Sequence, residues 1–136
     1  YLYQGEELGT LEVADLKPEQ LADPIWKRTG GKEKGRDGCR VPINWSVASL
    51  QDSDADSMLN FYRNALKLRK ILCTDESFQF IDSPAGTISF KRSGNWRVFT
   101  NFGDHPVALP EGKLLLASAP IEGNLLPANA TAWLNN

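Results

Sequence analysis

The apolar residues of this chain change their period once, near Thr74, and that change limits what each part can become. Over residues 54–73, Met58, Phe61, Tyr62, Ala65, Leu68 and Leu72 recur at the spacing of one helical face. Asp54 or Asp56 offers an acidic start, and Lys67, Arg69 and Lys70 place cations near the C-terminus, where the helix dipole favours them. One long helix is predicted, with a stripe wide enough to be buried on most of its circumference. Beyond Thr74 the period falls to two. Ile88 and Phe90 alternate with Thr87, Ser89 and Lys91, then Trp96, Val98, Thr100 and Phe102 alternate with Arg97 and Asn101. The Ser93-Gly94-Asn95 break reads as a tight hairpin. Further short runs at 78–82, 106–109, 113–118 and 130–134, parted by Pro, Gly and Asn, predict an antiparallel β-sandwich.

The front of the chain is less periodic. YLYQGEELG is a short aromatic and apolar run ended by Gly5, and it resembles the tail of a buried strand. Residues 15–22, DLKPEQLA, are predicted as a short helix with Asp15 near its cap and Pro18 in its first turn. RTGGKEKGRDG, residues 28–38, holds four glycines and six charges, which predicts a long loop rather than a packed element.

At 136 residues and 41% hydrophobic content the chain is long enough for one cored domain with attachments. Fifteen basic and 17 acidic residues are interspersed, so no basic footprint for nucleic acid exists. No apolar run reaches the roughly 20 residues that span a bilayer, and the N-terminus lacks the features of a signal peptide. The chain is therefore expected to be cytoplasmic, without nucleic-acid or membrane partners. Cys39 and Cys73 form no CxxC pattern, so they are expected to be buried free thiols, and neither cofactor nor metal is expected. The single histidine, His105, lies between turn formers in GDHP and reads as a surface turn rather than a general base.

Three groups of residues could carry chemistry. From Gly30, GGKEKGRD approaches a phosphate loop, but Arg36 and Asp37 stand where lysine and a hydroxyl residue belong, and DPIWKRT ahead of it is no buried strand. Glu6 and Glu7 are adjacent carboxylates, yet chain neighbours point apart, and glycosidase carboxyls need a separation of roughly 5 to 9.5 Å. Hydrogen-bonding or solvated glutamates are the plainer reading. Arg36 and Arg40, with Asp37 beside the first, could hold a carboxylate or vicinal hydroxyls through paired donors, or could make loop-stabilising ion pairs.

The order YLYQGEELG, DPIWKRTGG, KGRDGCRVPINW, SMLNFYRNALKLRK, then a β region with TNFGDHPVALP and a TAWL ending, resembles the C-terminal part of an α-glucosidase or oligo-1,6-glucosidase of glycoside hydrolase family 13, the α-amylase superfamily. YQGEELG resembles the family's tract at the end of barrel strand eight, and KGRDGCRVPINW its KGRDNARTPMQW loop. The resemblance implies an α+β fold. Residues 1–73 would end a catalytic (β/α)8 barrel with the strand-eight end, its loop and a long last helix, and residues 74–136 would form a C-terminal antiparallel β-sandwich domain.

It also implies retaining hydrolysis of α-glucosidic bonds by an aspartate nucleophile and a glutamate acid/base. No counterpart of those tracts occurs here, so the chain alone is expected to be inactive, with no catalytic residue of its own. By the same resemblance Arg36 matches the arginine that reaches the glucose of the −1 subsite. Asp37 and Arg40 belong to the same substrate-binding loop with mainly shaping roles, while Tyr3, Gln4, Glu6 and Glu7 support the site floor. The partners implied are an α-glucosidic oligosaccharide and the rest of the barrel. The YLY strand, lacking barrel neighbours, is expected to be disordered or to self-associate with a second copy.

One departure stands out: Trp45 runs straight into SVASLQDSDADSM, where the family has some tens of intervening residues. The rival reading is a free-standing carbohydrate-binding or structural β-sandwich module using Trp96, Trp133 and Phe102. Alternation places Trp96 and Phe102 with Val98, on a face more often core.

Overall fold

The computed structural model describes residues 1–135. Three helices precede seven strands: α1 (Pro24–Arg28), α2 (Trp45–Ser53), α3 (Met58–Leu72), β1 (Phe78–Ile81), β2 (Thr87–Arg92), β3 (Trp96–Asn101), β4 (Val107–Ala108), β5 (Lys113–Ala117), β6 (Leu125–Leu126) and β7 (Ala130–Asn135). The chain is thus a small α+β protein with an antiparallel sheet. It falls into two compact units, Tyr1–Tyr62 and the residues from Arg63 onward, and the division lies inside α3.

The first unit is built from short elements fixed by caps. Asp23 caps α1 by accepting from the Ile25 N–H, and Pro24 takes the first helical position, where a missing N–H leaves nothing unsatisfied. Asn44 caps α2 by accepting from the N–H groups of Ser46 and Val47. Neither helix is among the sequence predictions. The predicted helix over 15–22 reduces to a 3-10 turn at Pro18–Gln20. There the Lys17 N–H binds the Gln20 side chain, and Asp15 caps nothing. Only Leu8 and Leu21 are buried apolar side chains among the described residues of this unit. Tyr1–Tyr3 form no strand and are exposed.

The long helix forms, but at Met58 rather than Asp54. The buried Ser57 starts it: its hydroxyl accepts from the Asn60 N–H, while the Asp54 carboxylate turns to the Asp56 N–H instead. Nor is its stripe deeply buried. Phe61, Tyr62, Ala65, Leu68 and Leu72 are half-buried, and no residue of α3 is fully enclosed, because the exposed cations Arg63, Lys67, Arg69 and Lys70 interrupt the stripe from its second turn onward. The last carbonyls of a helix lack internal partners. Here the buried Ser93 hydroxyl donates to the Leu72 carbonyl and accepts from the Thr74 and Asp75 N–H groups, tying the helix end to the β2–β3 hairpin. That hairpin turns through Gly94 at φ +71° and Asn95 at φ +65°, left-handed angles that glycine and asparagine tolerate best.

Five strands make one sheet in the order β1-β2-β3-β7-β5, and β4 pairs with β6 in a separate ribbon. All pairings are antiparallel, with Phe90 opposite Val98 and Val98 opposite Trp133. Residues on one face (Phe99, Ala130, Ala132 and Leu134) join Leu109 and Leu126 in the core. The other face of the central strand β3 also buries Trp96 and Val98, so β3 is enclosed on both sides. The two-residue β6 was not among the predicted runs.

The thiols are free as expected but not buried: Cys39 is exposed and Cys73 half-buried, because the glycine-rich loop and the turn that follows α3 give neither one an enclosing shell. His105 sits in an exposed turn.

Candidate functional site

Two neighbouring tracts of the first unit carry the predicted site residues. In the first, Gly5 (φ +93°) and Gly9 (φ +63°) bracket a 3-10 turn at Glu6–Leu8. The Glu6 carboxylate accepts from the Tyr3 N–H at 3.2 Å and the Glu7 carboxylate from the Gly5 N–H at 3.0 Å. Both glutamates therefore brace their own turn. Gln4 reaches outward, its side-chain amide donating to the Val41 carbonyl at 3.2 Å. Tyr3, Gln4 and Glu6 line a cleft of about 210 Å³ with Thr10, Glu12 and Val41.

The second tract is the loop at Arg36. Its backbone makes a 3-10 turn at Asp37–Cys39 and is held by a reciprocal pair of aspartates. The Asp37 carboxylate accepts from the Ala22 and Asp23 N–H groups at 2.7 and 2.8 Å. In return the Asp23 carboxylate accepts from the Arg36 N–H at 3.3 Å, in addition to capping α1. Arg40 joins the two, its guanidinium 2.9 Å from Asp23 and 2.6 Å from Asp37. The aspartate side chains are only 12% and 11% exposed, which shields this pairing from water more than an ordinary surface ion pair.

The electrostatics follow from the contacts. The Ile25 and Arg36 N–H groups, helped by the Arg40 and Arg36 charges, hold the Asp23 carboxyl below its ordinary value. The Asp23 and Ala22 N–H groups and the Arg40 guanidinium do the same for Asp37. Arg40 is correspondingly raised, chiefly by its hydrogen bond to Asp37. All three are committed to one another in the ionised state. Arg36 is exposed, and its guanidinium has no hydrogen-bond partner among the described residues.

Two glycines make the close approach possible. Gly35 has φ +73°, and a Cβ there would fall 2.5 Å from the Asp23 Cγ. A Cβ on Gly38 would fall 2.5 Å from the Val13 carbonyl oxygen, while the Gly38 carbonyl itself accepts from the Val13 N–H.

The structure thus gathers Arg36, Asp37 and Arg40 in one loop and Tyr3, Gln4 and Glu6 in one cleft; Arg36 does not line that cleft. Asp23 is absent from the predicted set, although the Asp-Pro pair in DPIW is a recognisable cap signal. In the sheet, Trp96 is 4% exposed and packs at 4.8 Å on Trp133, so it presents no open ring face to a sugar. Phe102 is exposed. Among the described residues no cluster of metal-ligating side chains occurs, and no helix is long and apolar enough to cross a membrane.

No family model matches the chain. A probable alpha-glucosidase from Rhizobium meliloti (strain 1021) is 30% identical over 149 residues, covering 90% of this chain and 27% of the relative. That alignment is longer than the chain, so the relative carries residues that face none of this chain's. Among solved structures, an alpha-glucosyl transfer enzyme, XgtA, matches with a TM-score of 0.70 and 27% identity over 98% of this chain and 32% of that one. The chain is therefore a relative of the α-glucosidases, the glycoside hydrolase family 13 kinship its two loop motifs imply, and it spans about a third or less of the length of the proteins it matches.

Proposed function

We propose that the chain is the C-terminal part of a retaining α-glucosidase that hydrolyses α-glucosidic bonds of small oligosaccharides. In this reading residues 1–73 supply the strand-eight end, loop and last helix of a (β/α)8 barrel, and residues 74–136 a stabilising β domain. The observation that carries it is the division of labour in the KGRDGCR loop. Asp23, Asp37 and Arg40 spend their charges on each other, and Arg36 keeps an exposed guanidinium with no hydrogen-bond partner among the described residues. A guanidinium with free donors can hold the hydroxyls of a glucose and can pair with a carboxylate brought by another part of the barrel.

In this reading the nucleophile and the acid/base lie outside this chain. Glu6 and Glu7 brace their own turn through backbone N–H groups, and Asp23 and Asp37 are bound to Arg40. Retaining hydrolysis needs two carboxyl groups about 5 to 5.5 Å apart across the bond, one attacking the sugar and one passing the proton. Those groups come from earlier strands. Arg40 and Asp37 shape the loop, and Tyr3, Gln4, Glu6 and Glu7 support the floor beside it.

An aryl α-glucoside assay of the 136-residue chain tests this. No turnover is expected, and turnover by the pure chain would refute the reading. The upstream reading frame is expected to encode further barrel strands with an aspartate and a glutamate at their C-terminal ends. Calorimetric titration with maltose and isomaltose separates the rival, since a carbohydrate-binding module would bind them and this chain should not. The enclosed Trp96 favours the core role over a sugar platform.

A further inference from the structure

We propose that Asp23 is the positioning residue of the Arg36 loop; the function of the position it sets rests on the reading above. Asp23 lies 13 residues before Arg36, in a segment that carries none of the predicted site residues. Yet one carboxylate does three things. One oxygen, Oδ1, caps α1 through the Ile25 N–H. The other, Oδ2, takes the Arg36 N–H and the Arg40 guanidinium. The main chain of Arg36 is thereby fixed to the first turn of a helix, and the Arg40 guanidinium is bound to both Asp23 and Asp37.

This arrangement selects which side chain stays available. Arg40 cannot turn to a ligand without abandoning two carboxylates, whereas Arg36 is anchored by its backbone and keeps its side chain. Gly35 completes the design: with φ +73° and no Cβ, it lets the carboxylate sit against the chain just before Arg36. The bond from Asp37 to the Asp23 N–H closes the circuit in the opposite direction, so neither segment can shift alone.

The two oxygens allow the capping and positioning roles to be separated. Asn is as good a helix cap as Asp, so Asp23→Asn can keep Oδ1 on Ile25 while setting an NH2 group against the Arg36 N–H and Arg40. Asp23→Ala loses both roles. The experiment uses the isotope-labelled full chain in solution, with no sugar present. In Asp23→Asn, the Arg36 amide is expected to exchange with solvent at least about tenfold faster, and the Arg36 and Arg40 side-chain N–H relaxation to show increased mobility. The Ile25 amide should keep its protection, and in Asp23→Ala it too should lose it. In wild type the Arg36 amide shift should titrate with the Asp23 carboxyl, and that titration should vanish in Asp23→Asn. Unchanged Arg36 exchange and mobility in Asp23→Asn would overturn the proposal, as would equal loss at Ile25 and Arg36, which would mean a cap and nothing more. Because no sugar enters this test, its outcome is independent of the glucosidase reading.

Discussion

Asn101 is wholly buried at the end of β3, and its replacement should expose how the second unit is closed. Its side-chain NH2 donates to the carbonyls of His105, Leu126 and Pro127 at 2.8, 3.3 and 3.0 Å, and its oxygen accepts from the Gly103 N–H at 2.9 Å. Two hydrogens shared among three carbonyls, with one accepted bond, amount to about three effective hydrogen bonds. At about 1 kcal/mol each, Asn101→Ala should destabilise the unit by about 3 kcal/mol. For a unit of this size that corresponds to a fall in Tm of roughly 15 °C.

Asn101→Asp is the sharper test, because it keeps the shape and removes the donors. One oxygen can still take the Gly103 N–H, but the other then faces three carbonyl oxygens with no proton between. At neutral pH this variant should be less stable than Asn101→Ala, by roughly 2 kcal/mol more, since a buried acceptor without a donor is worse than a gap. The folded state must also raise the new carboxyl above its ordinary value, because only the protonated form can donate to a carbonyl. Between those two values the native state holds more protons than the unfolded one, so stability falls as pH rises through the window and recovers as pH falls. Urea unfolding followed by near-ultraviolet circular dichroism, repeated across pH, measures all of this. If Asn101→Asp matched wild type at neutral pH, or its stability did not rise on acidification, the amide would not be the donor we assign.

Three further outcomes follow from the first unit. Asn44→Ala removes the cap on the N–H groups of Ser46 and Val47 and should destabilise α2 by about 1 kcal/mol, seen as faster exchange at those two amides. Gly35→Ala should destabilise the unit by about 2 kcal/mol in urea, whereas Gly30→Ala, also left-handed but with nothing within 4 Å of its added Cβ, should lose only about 1 kcal/mol of backbone strain; equal losses would exclude the Asp23 contact as a cause. Asp23 and Asp37 both have carboxyl groups lowered from 3.8, so their stabilisation is complete above that value and lost as pH falls through their lower folded values. Unfolding measured across acid pH should therefore show a shallower acid decline in Asp23→Asn than in wild type.

What could be read in the sequence is what chain neighbours determine. The helix ending at Leu72 and the hairpin at Ser93-Gly94-Asn95 rest on periods and turn residues that lie side by side, and both are present. The start of α3 moved to Ser57 because a hydroxyl already buried there captures the Asn60 N–H, and burial is not visible in a list of acidic residues. Two residues cannot display alternation, so β6 at Leu125–Leu126 left no signal of its own; Asn101, which holds the Leu126 carbonyl from 25 residues away, gives it a place. α1 and α2 are short, but their caps, Asp23 before Pro24 and Asn44 before Trp45, were open to reading.

The candidate site divides along the same line. KGRDGCR is recognisable because its residues are contiguous, and the loop it forms does carry an exposed Arg36. What holds that loop still is not contiguous with it, since the anchor lies across a glycine-rich excursion that by itself specifies no fixed path. A loop holding four glycines between residues 28 and 38 has high conformational entropy to lose, and a single ion pair at its surface would not offset that loss. The reciprocal bonds of Asp23 and Asp37 draw backbone N–H groups from both ends of the excursion, so the constraint falls on the chain path itself and on no one side chain. That is why Arg36 can carry an exposed side chain on a main chain that is itself held, and why removing Asp23 should loosen the Arg36 backbone although it lies 13 residues away in sequence.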